Sequence, residues 1–401
     1  MNSKYQSAGE LIDFSIGGGW GKEEPAADYS NKVAIVRGAD FPDVDNGIFD
    51  RIPVRWEKET KATKASLKAG DVILEISGGT DERPTGRTVR VSQELLDSFD
   101  CPVIPASFCR LVRPNEYVNS QYFYYWLQDM YAKGRTWNYQ NRSTGLSNFQ
   151  FKVFCEAEEV RVPSYNEQCA IAEVLCLIDK KRMANIKLND YLAQMADTMF
   201  VDAFGGLGDN AVLSDIAEIT MGQSPAGTSY NEDGNGTVFY QGRGEFGWRY
   251  PTQRLFTTEP KRMAKSGDVL MSVRAPVGDL NVAYEDCCIG RGLAAINCDY
   301  PSYCLYLMRS LGRKLDSYNG EGTVFGSING KALKGLEIAL PEIDNIISFE
   351  GKVAPIDAQI RCNEAENRSL TQLRDTLLPK LMSGEIDVSK IDLTQLNNHL
   401  A

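Results

Sequence analysis

Between residues 164 and 204 the apolar positions recur on a helical period. Ile178, Asn185, Leu192 and Met199 fall seven apart, and Leu175, Asn189 and Ala196 occupy the companion register, interrupted by Arg182. A second run places Ile356, Asn363, Leu370 and Leu377 in one register and Val353, Ile360 and Asn367 in the other. An apolar a/d seam kept for about four heptads predicts a coiled coil. Asn inside such a seam costs stability but fixes register and partner choice. Few residues in the first run break a helix, so roughly 36 residues at ~1.5 Å predict a rod of ~54 Å.

The two runs are copies of one unit. Residues 163–199 superpose without a gap on 341–377, matching Pro163 with Pro341, Ile178 with Ile356, Asp179 with Asp357, Asn185 with Asn363, Asn189 with Asn367 and Leu192 with Leu370. The duplication reaches into the intervening segments in conserved order. Ile16-Gly17-Gly18-Gly19 resembles Ile219-Thr220-Met221-Gly222, and Lys68-Ala69-Gly70-Asp71-Val72 resembles Lys265-Ser266-Gly267-Asp268-Val269. Residues 34–38 resemble 238–242, Tyr122 and Tyr125 match Tyr303 and Tyr306, and Thr144 matches Thr323. A repeat of this length means two supersecondary units of one design.

The predicted organisation is therefore a globular unit over 1–162, a helix over 163–205, a second globular unit over 206–340, and a second helix with a short tail over 341–401. Short β-rich runs at 33–36, 72–76, 238–241 and 269–273, bounded by Gly, Asn and Asp, combine with one aromatic helix per unit. That pattern predicts an α+β fold. Two long helices of one chain pack most economically antiparallel, which predicts globular units at opposite ends with pseudo-two-fold symmetry.

Composition narrows the chemistry. No apolar run approaches the length of a membrane span and no signal-peptide pattern is present, so the expectation is a cytoplasmic chain. Ten cysteines lie scattered without C-x-x-C spacing, as reduced core thiols do. The one histidine, His399, stands near the end of the sequence. Its position argues against Ser-His-Asp and Cys-His catalysis and against His-ligated metal hydrolases, each of which needs a positioned imidazole. No paired acidic motif recurs in both copies. Gly242-Arg243-Gly244-Glu245-Phe246-Gly247 fits a dinucleotide fingerprint, but the following Trp248-Arg249-Tyr250-Pro251 is no helix. Phe204-Gly205-Gly206-Leu207-Gly208 reads as a helix cap and hinge. A duplicated chain without a duplicated catalytic constellation points to a binder.

The helical copies resemble the conserved regions of specificity subunits of type I restriction–modification systems. The family pattern of Pro, Glu-Gln and Ile-x-x-x-Leu-x-x-Ile-Asp is met at Pro163, Glu167, Gln168, Ile171, Leu175, Ile178 and Asp179. L-R-D-T-L-L-P-K-L-M-S-G-E-I from Leu373 and the domain opening Met221-Gly222-Gln223-Ser224-Pro225 resemble the family as well. The second copy departs from it, with Asn345 and Ile346 in place of Glu-Gln.

The resemblance implies a non-catalytic subunit with two target recognition domains, each reading one half of a split double-stranded DNA target. It implies partners too: two adenine methyltransferase subunits docked on the helices, and motor–nuclease restriction subunits. No cofactor is expected on this chain; S-adenosylmethionine, ATP and Mg are expected on the partners. The helix positions expected at the subunit interface and seam are Leu175, Ile178, Asn185, Asn189, Leu192, Val353, Ile356, Asn363, Asn367 and Leu370.

Sequence reading requires polar side chains at base edges, chiefly Arg to guanine and Asn or Gln to adenine. The candidates are Arg142, Ser143, Thr144, Ser147, Asn148 and Lys152 in the first domain. In the second they are Arg243, Arg274, Arg291, Thr323, Ser327, Asn329 and Lys331. Any single Ser, Thr or Asn among these can equally be a turn residue bonding its own backbone. The net charge of −11 supplies no broad basic face, so attraction to DNA must come from local clusters or from partner subunits. Two alternatives stay open: a scaffold whose repeat binds protein, and a solitary carboxylate enzyme.

Overall fold

The computed structural model describes residues 4–143, 146–320 and 326–395. It is α+β, with two long helices, Tyr165–Phe204 and Ile343–Ser383. Two compact units emerge: Met1–Lys187 with Glu364–Ala401, and Leu188–Asn363. The units therefore cut the chain differently from a four-segment linear division. Each takes one globular part and one half of each long helix, because the apolar stripe of each helix half is buried against that globular part. Among the described residues no helix is long and apolar enough to cross a membrane.

The units share a topology. The first has a four-stranded sheet in the order Ile12–Gly17, Cys109–Pro114, Val72–Glu75, Thr88–Arg90. The second repeats it as Glu218–Met221, Leu293–Asn297, Val269–Ser272, Leu280–Val282. All these pairings are antiparallel. Beside each sheet lies one parallel pair, Asn31–Val36 with Val103–Pro105 and Thr237–Tyr240 with Cys287–Ile289.

The turn before the third sheet strand repeats atom for atom. Gly70 and Gly267 both stand at φ +94°, where a side chain would be strained. The Lys68 and Lys265 amides donate to Asp71 and Asp268 Oδ2 at 2.7 and 2.8 Å. One register from the sequence shifts. The equivalent of Gly222 is Gly18, not Gly19, because the Gly18 amide donates to Cys109 O at 3.0 Å as the Gly222 amide does to Leu293 O at 2.9 Å.

Within each unit the helix halves run antiparallel. In the first unit Asn185 Nδ2 donates to Asn367 Oδ1 at 3.1 Å and to Glu366 Oε2 at 2.7 Å. In the second, Asn363 Nδ2 donates to Asn189 Oδ1 at 2.7 Å, and Asn363 Oδ1 accepts from Gln359 Nε2 at 2.8 Å. All four Asn side chains are buried and satisfied, as buried amides must be. Leu175, Ile178, Val353 and Leu370 are buried along the same seam, while Leu192 and Ile356 are half-buried.

The aromatic helices Ser120–Ala132 and Pro301–Ser310 pack the sheets onto the long helices. Gln168, the Gln of the helix motif, is buried and accepts the Asn119 amide at 2.8 Å, just before the first aromatic helix. The second copy has Ile346 there, buried in the core. One turn on, Glu350 takes over and accepts the Ser302 and Tyr303 amides at 3.2 and 2.9 Å. A carboxylate on a helix N-terminus is favourable for the orphan amides and the dipole alike.

Candidate nucleic-acid interface

In the second unit four strand ends are laced together by backbone hydrogen bonds. The Gly290 amide donates to Tyr240 O at 2.8 Å, Gly292 to Gln241 O at 3.3 Å, Val273 to Gly292 O at 2.9 Å and Ile328 to Val273 O at 3.1 Å. Glycine makes this possible. A Cβ on Gly222 would stand 2.2 Å from Gly290 O, and one on Gly290 2.7 Å from Gln241 O. The lacing gathers Arg243, Arg274, Arg291 and Ser327, residues scattered between positions 243 and 327 of the sequence, on one exposed rim.

Arg291 is exposed, and its amide donates to Ser224 Oγ at 3.3 Å. Arg274 and Ser327 are exposed and form a β-bridge. Arg243 is tied to Asp279 at 2.6 Å, so its charge is partly neutralised. Asn329 spends its carbonyl capping the helix Gly330–Lys334 through the Ala332 amide at 3.0 Å. Lys331 is exposed on that helix. Thr323 lies outside the described residues.

The first unit builds the same rim from different side chains. Asn148 pairs with Ser77 where the second unit pairs Ser327 with Arg274. Asn148 is half-buried, and Lys152 is exposed, 3.9 Å from Glu156. Arg142 and Ser143 belong to the strand Gln140–Ser143, which pairs with Leu146–Phe149; Thr144 lies outside the described residues. Ser147 leaves the candidate set: it is buried and its hydroxyl donates to Gln140 Oε1 at 2.6 Å. For Ser147 the local neighbour role is the one the structure shows, while Asn329 is exposed and uses only its side-chain oxygen in the cap.

A second constellation went unassigned in the sequence although its residues stand in the repeat. The Tyr125 hydroxyl donates to Asp179 Oδ2 at 2.8 Å, and Tyr306 to Asp357 Oδ1 at 3.0 Å. These pairs fasten each aromatic helix to the long helix of its own unit. The cation differs. In the first unit Arg374 Nη1 donates to Asp179 Oδ1 at 3.2 Å. In the second, Arg249 reaches in from a loop, donating to Asp357 Oδ1 at 3.1 Å and the Tyr306 hydroxyl at 3.3 Å. Burial works against the Arg249 charge, but Tyr306 and Asp357 outweigh it and hold its pKa above the ordinary value.

Beside the first clamp lies a cavity of about 790 Å³ lined in part by Asp45, Tyr124, Arg182 and Arg374. Burial, reinforced by the Asp179 charge, lifts the Asp45 carboxyl to about 7, although the Tyr124 hydroxyl and the two arginines pull it down. Among the described residues no cluster of three or more His, Cys, Asp or Glu could hold a metal ion. The ten cysteines are free, and His399 lies outside the described residues.

Over 175 residues the chain is 36% identical to the MjaX type I restriction enzyme specificity subunit of Methanocaldococcus jannaschii, an alignment covering 43% of this chain and 41% of that protein. Over 186 residues it is 25% identical to the HindI specificity subunit of Haemophilus influenzae, covering 43% and 40%. The matched region thus spans about two fifths of the length of these curated relatives. The S subunit of a type I restriction–modification system from M. genitalium shares the fold, with a TM-score of 0.57 at 16% identity over 95% of this chain and 96% of that one. No protein-family model matches the chain. The resemblance read from the helix motifs is thus met again in sequence and in fold.

Proposed function

We propose that this chain is the DNA sequence-recognition subunit of a type I restriction–modification complex, reading a split double-stranded target with its two globular parts. The observation that carries the proposal is the 36% identity over 175 residues to a specificity subunit of that class. The duplicated topology supports it, since two copies of one reader suit a target in two halves. The rim of the second unit supports it as well. Exposed Arg and Gln side chains on glycine-laced loops are the groups that bond to base edges in a major groove. A scaffold that binds only protein has no use for such a rim.

In this reading the chain performs no catalysis. Two adenine methyltransferase subunits dock on the helix halves, and restriction subunits join that assembly. S-adenosylmethionine, ATP and Mg belong to those partners. Phosphate contacts fix orientation, and base contacts carry the sequence.

Replacing residues 206–340 with the second recognition domain of another specificity subunit tests this. Co-expressed with its methyltransferase, the chimera should methylate a motif altered in one half and unchanged in the other. A chimera that methylates with both halves altered would contradict modular reading.

A further inference from the structure

Gln241 was not among the residues singled out by sequence, yet the fold places it at the centre of the second rim. It directly follows the strand Thr237–Tyr240, and its carbonyl accepts the Gly292 amide at 3.3 Å. Gly290 and Gly292, which flank Arg291, both lie against its backbone, since a Cβ on either would approach Gln241 O to 2.7 or 2.9 Å. The side chains of Gln241 and Arg291 therefore spring from touching backbone segments, and both are exposed. The Gln241 amide bonds to no described side chain or backbone group, whereas Arg243, two residues on, is engaged by Asp279.

The internal repeat shows that this is not a requirement of the fold. The Ala106 amide donates to Val36 O at 2.8 Å as Gly290 does to Tyr240 O at 2.8 Å, so Arg37 stands where Gln241 does and Ser107 where Arg291 does. Arg37 is turned back onto Asp40 at 2.6 Å and donates to Arg51 O at 3.2 Å. The first unit's rim instead exposes Phe108, at the Gly292 position, and Trp20. The same backbone thus offers, in one copy, a carboxamide and a guanidinium with no side-chain partner among the described residues, and in the other aromatic side chains with a locked arginine. A structural role at this position would have kept the side chain; a reading role lets it vary between domains that read different bases.

We infer that Gln241 is a specificity-determining residue of the second recognition domain, reading an adenine·thymine pair through its carboxamide beside Arg291. Gln can present a donor and an acceptor together to adenine N7 and N6, and Arg a bidentate donor to guanine O6 and N7. The inference rests on the proposed function and goes beyond it by naming the residue, the half and the base pair.

The test is a comparison of methylation by the complex of the full chain with its methyltransferase subunits, for wild type, Gln241→Ala and Gln241→Arg, over a library of randomised targets. The Ala variant should lose discrimination by about 5- to 150-fold at one A·T position of one half-site. The Arg variant should favour G·C at that same position, and the other half-site should be unchanged in both. Unaltered motifs in both variants would overturn the inference. So would a uniform loss of methylation across all targets without a change of preference, which marks a phosphate contact or a folding defect. Failure of the wild-type complex to methylate any bipartite motif would instead defeat the proposed function itself.

Discussion

Arg249→Met isolates the clamp of the second unit. The Arg249 side chain is 5% exposed and that of Asp357 19% exposed, so neither charge has water as a full substitute for the other. Removing one partner of a buried pair costs ~3–5 kcal/mol, because the remaining charge is left uncompensated. Asp357 keeps the Tyr306 hydroxyl at 3.0 Å, which puts the expected loss at the lower end, ~3 kcal/mol. For a unit of this size ~1 kcal/mol moves the midpoint by roughly 2–4 °C, so the second unit should melt ~6–12 °C lower. The chain has two units, so a single melting curve is not enough. Hydrogen exchange followed peptide by peptide reports each unit separately, and only Leu188–Asn363 should lose protection. Adding Asp357→Asn removes the orphaned charge and should recover ~1.5 kcal/mol or more, a coupling outside simple additivity. Additive effects of the two substitutions, or a midpoint shift under ~2 °C for Arg249→Met, would refute the argument that this pair fastens the domain to its helix.

Other outcomes follow from the same geometry. Asn185→Leu leaves the buried Asn367 carbonyl oxygen without its 3.1 Å donor, so urea denaturation should show a loss of ~1–3 kcal/mol while the fold persists by circular dichroism. Gly222→Ala drives a methyl group against the Gly290 carbonyl, so it should cost ~1–3 kcal/mol or more in a thermal melt and weaken discrimination at the second half-site. Asp45 rises from 3.8 to about 7 on folding, so the native state keeps a proton that the unfolded chain has released. Stability of the first unit should therefore fall as pH rises from about 4 to about 7, and Asp45→Asn should flatten that slope in melts across the same range. With a net charge of −11 the isolated chain lacks a large counterion-release term, so it should bind DNA only weakly. Its complex with methyltransferase subunits should bind tightly and with steep salt dependence in fluorescence anisotropy.

Much of the fold was legible because duplication writes every signal twice. The heptad seam marked both long helices, and the Lys-x-Gly-Asp turns marked the third strand of each sheet. What the pattern could not show was where the compact units divide, since the helix period is the same on both sides of Lys187. That boundary depends on which globular part covers each apolar stripe. The rim was half legible. Arg243 and Arg291 stand out between glycines, but Gln241 is an unremarkable residue after a strand until backbone hydrogen bonds bring it beside Arg291. Ser147 misled for the opposite reason, because a polar residue near glycine is as often bonded to its own neighbourhood as offered to a ligand. The Tyr–Asp clamps were visible as repeated letters, yet Arg249 and Arg374 come from unrelated places in the chain, so no spacing could pair them.

The most direct test of the central claim is a map of adenine methylation in the DNA of cells that carry this gene with its methyltransferase, set against the same cells with this gene deleted. A bipartite motif, two short specific halves around a fixed gap of unspecified bases, should be present with the gene and absent without it. A motif that persists after deletion, or one without a gap, would contradict it.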